Sequence, residues 1–121
     1  KFNNIDMSWF KADQEIIDRE WMKKDITWKY IHWARENRVP LFCGEFGTSN
    51  FIRNDYRIHW AEDVASVLNE LGIHWTYWEY KGIYGWGYSF SVVNQQTDHP
   101  EKEFFINQPL LETIASKIKK N

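Results

Sequence analysis

One cysteine, Cys43, in 121 residues rules out an intrachain disulfide framework and a cysteine-rich zinc site. The four histidines, His32, His59, His74 and His99, show no metal-ligand spacing such as two histidines one helical turn apart, so neither metal nor cofactor is expected. No apolar run approaches the roughly 18 residues of a membrane-spanning helix. Charge of one sign is also missing: fifteen Lys and Arg stand against seventeen Asp and Glu, with no basic block to track phosphates or anionic lipid. The sequence therefore reads as soluble, without nucleic acid or membrane as partner. It opens at Lys1 with neither an initiator Met nor a signal-peptide pattern, which suggests a start inside a longer protein.

Aromatic residues are abundant instead. Eight Trp, six Tyr and eight Phe make up 18% of the chain, flat apolar surface suited to a core or to stacking on flat ligands. Their use depends on the elements that carry them. Residues 1–17 have no clear period and read as a loop, with Trp9 and Phe10 able to reach a cleft. From Asp18 to about Asn37, Met22, Ile26, Tyr30, Trp33 and Ala34 recur at helical spacing, and Asn37 is the expected left-handed stop. Val39-Pro40 forces extension, and Leu41 to Phe46 follow as a short buried strand. A second helix, capped by Asn54 or Asp55, places Trp60, Ala61, Val64, Val67, Leu68 and Leu71 on one face and stops at Gly72. Ile73 to Trp78 form another strand, apolar on both faces as in a covered parallel sheet. A glycine-broken aromatic loop, Lys81 to Phe90, and a polar stretch lead to a last helix. That helix starts near Asn107-Gln108-Pro109, buries Leu110, Leu111, Ile114, Ala115 and Ile118, and ends in lysines.

The two strands start about thirty residues apart, the size of a βαβ unit, so a parallel α/β arrangement follows. Two strands do not make a stable parallel sheet alone, and residues 1–121 are read as a piece of one larger α/β domain. In such folds functional groups gather at the carboxyl ends of the strands. Glu45, in "PLFCGEFGTSN", stands there. Strict alternation puts Leu41, Cys43 and Glu45 on one face and Phe42, Gly44 and Phe46 on the other. Gly44 and Gly47 keep bulk away from the carboxylate. On its own, a Gly-Glu pair fits an acid that caps or ion-pairs at a strand end, but the next strand ends in Trp78 at the matching position, so an acid and a flat ring flank one opening. Cys43 has no base beside it and reads as a small apolar filler. His74, at the start of its strand, and Trp75 read as structural.

The segment "VPLFCGEFGTSN" resembles the seventh-strand motif of family 5 glycoside hydrolases, and "GIHWTYWEYKG" resembles the eighth strand of the same (β/α)8 TIM barrels. The resemblance covers essentially the whole chain and implies its C-terminal portion, about strands 7–8 with flanking helices. It implies a retaining β-glycosidase of endoglucanase type acting on β-linked oligo- or polysaccharide, with Glu45 as nucleophile and Trp78 as the floor of the sugar site beside the scissile bond. The acid/base of this family comes from an Asn-Glu pair at the fourth strand. That pair has no match here: Glu36-Asn37 is reversed, and Glu79 is turned away from Trp78 by alternation. The isolated chain is accordingly expected to be inactive, its partner being the missing N-terminal part of the same barrel. In "KGIYGWGYSF", Lys81 is placed to donate to sugar hydroxyls, and Tyr84 and Trp86, with Tyr88, either extend the cleft or pack as a lid over the rim. An extracellular location is implied by the family alone. The competing reading is a non-catalytic carbohydrate-binding module, which three helical patterns disfavour; self-association of copies into a barrel is disfavoured because eight strands do not divide evenly.

Overall fold

The computed structural model describes residues 18–82, 89–94 and 105–118. The first helical rod begins at Asp18, whose carboxylate accepts the Trp21 N–H at 2.8 Å, and runs as α1 (Arg19–Ile26), a π-helical turn (Thr27–Ile31) and α2 (His32–Asn37). The wide turn inserts one residue into the helical repeat. The apolar stripe therefore passes from Met22 and Ile26 to Ile31 and Ala34, while Tyr30 and Trp33, expected on the stripe, are exposed. The left-handed stop falls at Arg38 (φ 55°), one residue beyond the expected Asn37.

Strand β1 (Phe42–Phe46) pairs in parallel with β2 (His74–Tyr77), and α3 (Asn54–Glu70) connects them. The N-cap of α3 is Arg53, with no capping side chain; Asp55 pairs with Arg53, and Asn54 exchanges side-chain hydrogen bonds with Asn107, the N-cap of α4 (Gln108–Lys117). Ala61, Val64, Val67 and Leu68 are buried as expected, and Gly72 ends the helix at φ +70°, a conformation glycine adopts without penalty. On α4, Leu110 and Ile114 are buried, but Ala115 is exposed beside that stripe, and Ile118, the C-cap, has extended backbone (ψ 117°) and leaves the helical repeat exposed. Two short strands, β3 (Val93–Asn94) and β4 (Phe105–Ile106), form an antiparallel ribbon that periodicity did not reveal, being two residues each.

All the helices pack on one side of the parallel pair. One cluster joins Ile31, Phe46, Val64, Ala65, Leu68 and Ile73; a second joins Ala61, Val92, Leu110 and Ile114; Trp75 and Tyr77 touch both. The opposite side of the sheet, with Phe42, Gly44, His74, Thr76 and Trp78, is exposed among the described residues. Both strands thus read as half-covered, and the near-continuous apolar run of β2 is resolved into an inward Ile73, Trp75 and Tyr77 and an outward His74, Thr76 and Trp78.

Candidate active site at the carboxyl ends of β1 and β2

The register pairs Phe42 with His74, Cys43 with Trp75 and Phe46 with Tyr77. Gly44 and Glu45 together therefore oppose Thr76, a bulge that inserts one residue into β1. The Thr76 hydroxyl donates to the Gly44 carbonyl across it. This insertion overturns the simple alternation. Leu41, Cys43 and Phe46 all pack toward the helices, whereas Phe42, which alternation puts on the same face as Phe46, is 64% exposed on the open face. Cys43 consequently does not share a face with Glu45, and burial pushes its thiol up from its ordinary value, as suits a filler.

Phe46 fixes the bulge. Its ring meets Trp75, Tyr77 and Trp60 at centroid distances of 5.3, 5.5 and 6.0 Å. Burying a phenylalanine contributes roughly 1.5–3 kcal/mol, and each well-set ring pair about 0.5–1.5 kcal/mol more. With Phe46 held inward, its neighbour Glu45 turns to the open face, where it is exposed.

Trp78 is joined to the same point. Its N–H donates to the Phe46 carbonyl at 2.8 Å, and the residue remains 42% exposed. The Trp78–Glu79 peptide is cis. Gly47 lies directly against this junction: a Cβ there would stand 1.9 Å from the Trp78 carbonyl oxygen and 3.0 Å from its carbon. Gly47 thus makes room for the end of β2, while a Cβ at Gly44 would meet the Phe42 ring at an ordinary 3.7 Å. The carboxylate of Glu79 accepts from the Ser91 hydroxyl at 3.4 Å.

Among the sequence-derived candidates, Glu45 and Trp78 are brought to adjacent strand ends, and Lys81 is exposed three residues farther, forming a single bridge with Val93. Tyr84, Trp86 and Tyr88, like Trp9 and Phe10, lie outside the described residues. Sequence reasoning missed a set of polar groups behind the site. Arg57 is 4% exposed and donates through Nη2 to the carbonyls of Phe90 and Ser91, both at 3.3 Å. The Tyr77 hydroxyl donates to the Phe90 carbonyl at 3.2 Å, and burial raises its pKa against the opposing pull of the Arg57 charge. The available signal was Ser-x-Ser in "SFSVV", small hydroxyls set into an apolar run. Among the described residues no three His, Cys, Asp or Glu side chains converge to hold a metal.

The family description for cellulase (glycosyl hydrolase family 5) matches residues 4–82. Endoglucanase C of Acetivibrio thermocellus is 34% identical over 79 residues, 65% of this chain and 21% of that protein. Endoglucanase B of Neocallimastix patriciarum is 28% identical over 78 residues, 64% of this chain and 16% of that protein. Thermotoga maritima Cel5A in complex with cellobiose aligns with a TM-score of 0.63 at 22% identity, over 83% of this chain and 28% of that one. A hyperthermophilic endo-β-1,4-glucanase solved with substrate aligns at 0.57 and 26% identity, over 80% of this chain and 28% of that one. The chain therefore spans about a fifth of the length of Endoglucanase C, 21% of that protein. Its fold is part of an α/β barrel of the kind these structures have. The chain belongs to the cellulase family, glycosyl hydrolase family 5.

Proposed function

We propose that this chain is the carboxyl-terminal part of a (β/α)8 barrel, contributing about its seventh and eighth strands, and that the complete protein hydrolyses β-linked glucan with retention at the anomeric carbon. The observation that carries this reading is the exposed Glu45 in the β1 bulge, beside the half-exposed Trp78 ring at the end of the neighbouring parallel strand. The uncovered sheet face supports it, because the inward face of a barrel strand is filled only when the remaining strands close round it.

In this mechanism an ionised Glu45 attacks the anomeric carbon as the glycosidic C–O bond breaks, and a second carboxylic acid protonates the departing oxygen. Water, deprotonated by that same second group, then displaces Glu45 and releases the sugar. The two carboxyl groups stand about 5 Å apart in retaining enzymes. Glu79 is engaged by the Ser91 hydroxyl, and the acid/base is assigned to the part of the barrel outside this chain, so the chain alone is expected to be inactive. Trp78 offers an apolar plane to the C–H face of a pyranose, and Lys81 donates to hydroxyls at its rim. A polymeric glucan cannot enter a cell intact, which puts the complete enzyme outside it.

Glu45→Gln in the complete protein tests the assignment. Turnover of β-1,4-glucan should fall on the order of 10⁴-fold or more, as when other covalent nucleophiles are removed, with oligosaccharide affinity retained. Unchanged turnover would exclude Glu45 as nucleophile.

A further inference from the structure

After β2 the chain returns behind the site through Ser89, Phe90 and Ser91, and this segment is held from several directions. Arg57 on α3 and Tyr77 on β2 donate to its carbonyls. Ser91, with no exposed surface, accepts the Gly82 N–H at 2.6 Å and the Ser89 hydroxyl at 2.5 Å and donates to Glu79. The loop that leaves β1 joins the same segment through Asn50. The Asn50 N–H donates to the Ser89 carbonyl at 2.7 Å, and the Asn50 Oδ1 accepts the Ser89 N–H at 3.0 Å. The side chain thus stands in for a backbone carbonyl and closes a two-bond ring between the two loops.

The bonds from Trp78 N–H to Phe46 O and from the Thr76 hydroxyl to Gly44 O join the two strand ends ahead of this point. Both lie on the strands themselves and leave the course of the loops beyond them unset; a second anchor farther along each chain fixes it. We propose that Asn50 is this second anchor, a positioning residue that sets the angle between the Glu45-bearing end of β1 and the Trp78-bearing end of β2. The proposal rests on the reading of Glu45 as nucleophile. Its chemical requirement is narrow: an acceptor oxygen at the Asn50 Oδ1 position. Aspartate supplies one, alanine does not, and glutamine carries its amide one methylene too far.

The test is a comparison of kcat and KM on a β-1,4-gluco-oligosaccharide for the complete protein and its Asn50→Ala, Asn50→Asp, Asn50→Gln and Glu45→Gln variants, with thermal unfolding alongside. Misplacing reacting groups by about 1 Å can cost on the order of a hundredfold, so Asn50→Ala is expected to lose about tenfold or more in kcat with a smaller change in KM. Asn50→Asp should recover most of that loss and Asn50→Gln should not; Gln also serves as the probe if Ala fails to fold. Wild-type kcat in Asn50→Ala, or Asn50→Asp no better than Ala, overturns the proposal. An active Glu45→Gln removes the reading of the site on which the clamp depends, whereas an inactive Glu45→Gln beside a fully active Asn50→Ala removes the clamp alone.

Discussion

Replacing Gly47 by alanine is the sharpest probe of how the two strand ends meet. The added Cβ would sit 1.9 Å from the Trp78 carbonyl oxygen, 3.0 Å from the carbonyl carbon and 3.4 Å from the Phe90 Cβ. An unstrained carbon–oxygen contact needs more than 3 Å, so either the loop after β1 or the end of β2 must move by more than about 1 Å, given attractive contact distances of roughly 3.5 Å. Neither is free to do so. The Trp78 N–H is bonded to Phe46 at 2.8 Å, and Phe46 is buried under three aromatic neighbours. Overpacking a fixed site costs about 1–3 kcal/mol, and backbone on one side puts this case at the upper end. For a domain of roughly 150–250 residues each kcal/mol lowers the melting temperature by about 2–4 °C, so a drop of about 5–10 °C is expected in the complete protein. The same displacement shifts Trp78 against Glu45, and turnover should fall by on the order of a hundredfold. Calorimetry and steady-state kinetics on the purified variant measure both. A Gly47→Ala protein with wild-type melting and wild-type kcat would refute the close approach and the argument built on it.

Gly44→Ala is the matched control: its Cβ meets only the Phe42 ring at 3.7 Å, so thermal stability should be unchanged or slightly raised as the unfolded chain loses freedom, by about 0.4–1 kcal/mol at most. The Lys117–Glu62 pair, 2.9 Å apart, ties α4 to α3, and the hydrogen bond from Lys117 lowers the Glu62 pKa. A depressed carboxyl pKa adds stability above the ordinary carboxylate range that is lost as pH falls through the lowered value. Glu62→Gln should therefore melt lower than wild type at neutral pH and equal to it in acid, the gap staying below about 1 kcal/mol because the pair is substantially exposed. Equal melting at neutral pH would remove the pair from the α3–α4 contact.

The parts of this fold that were legible in the sequence are those where the repeat runs uninterrupted. Helix α3 keeps its period over Ala61, Val64 and Leu68 and ends on a glycine whose φ only that residue takes readily. Where a residue is inserted, counting fails. The bulge at Gly44-Glu45 moved Cys43 to the helix side and Phe42 to the open side, although Glu45 kept its expected exposure because Phe46, its anchor, stayed inward. The position of Glu45 at a strand end was readable from Pro40, the apolar run and the glycines that follow. The groups supporting it were not, since Asn50 meets Ser89 across 39 positions and Arg57 meets Phe90 across 33, and neither pairing leaves a local pattern.

The π-helical turn in the first rod is the other such insertion, and it yields a test of the same logic. Met22 and Ile26 reach the core four residues apart, but the next buried residue, Ile31, comes five later, followed by Ala34. An α-helix advances 100° per residue at 3.6 residues per turn, so a five-residue step without widening would carry Ile31 well off the stripe. Deleting Tyr30, which is exposed, restores a four-residue step from Ile26 and a seven-residue step to Ala34, and an unbroken α-helix then presents the same side chains to Phe46 and Leu68. The deletion should change stability by no more than about 1 kcal/mol, since it removes an exposed residue together with the wide turn that accommodates it. Deleting Asp63 from α3 offers no such slack: it rotates Val64, Val67 and Leu68 away from the core, each costing roughly 1.5–3 kcal/mol of burial, which exceeds much of a domain's marginal stability. Thermal unfolding of the two deletions distinguishes the cases. If removing Tyr30 destabilises the protein as severely as removing Asp63, the wide turn is required by contacts on its exposed side, and the account of it as a register correction is wrong.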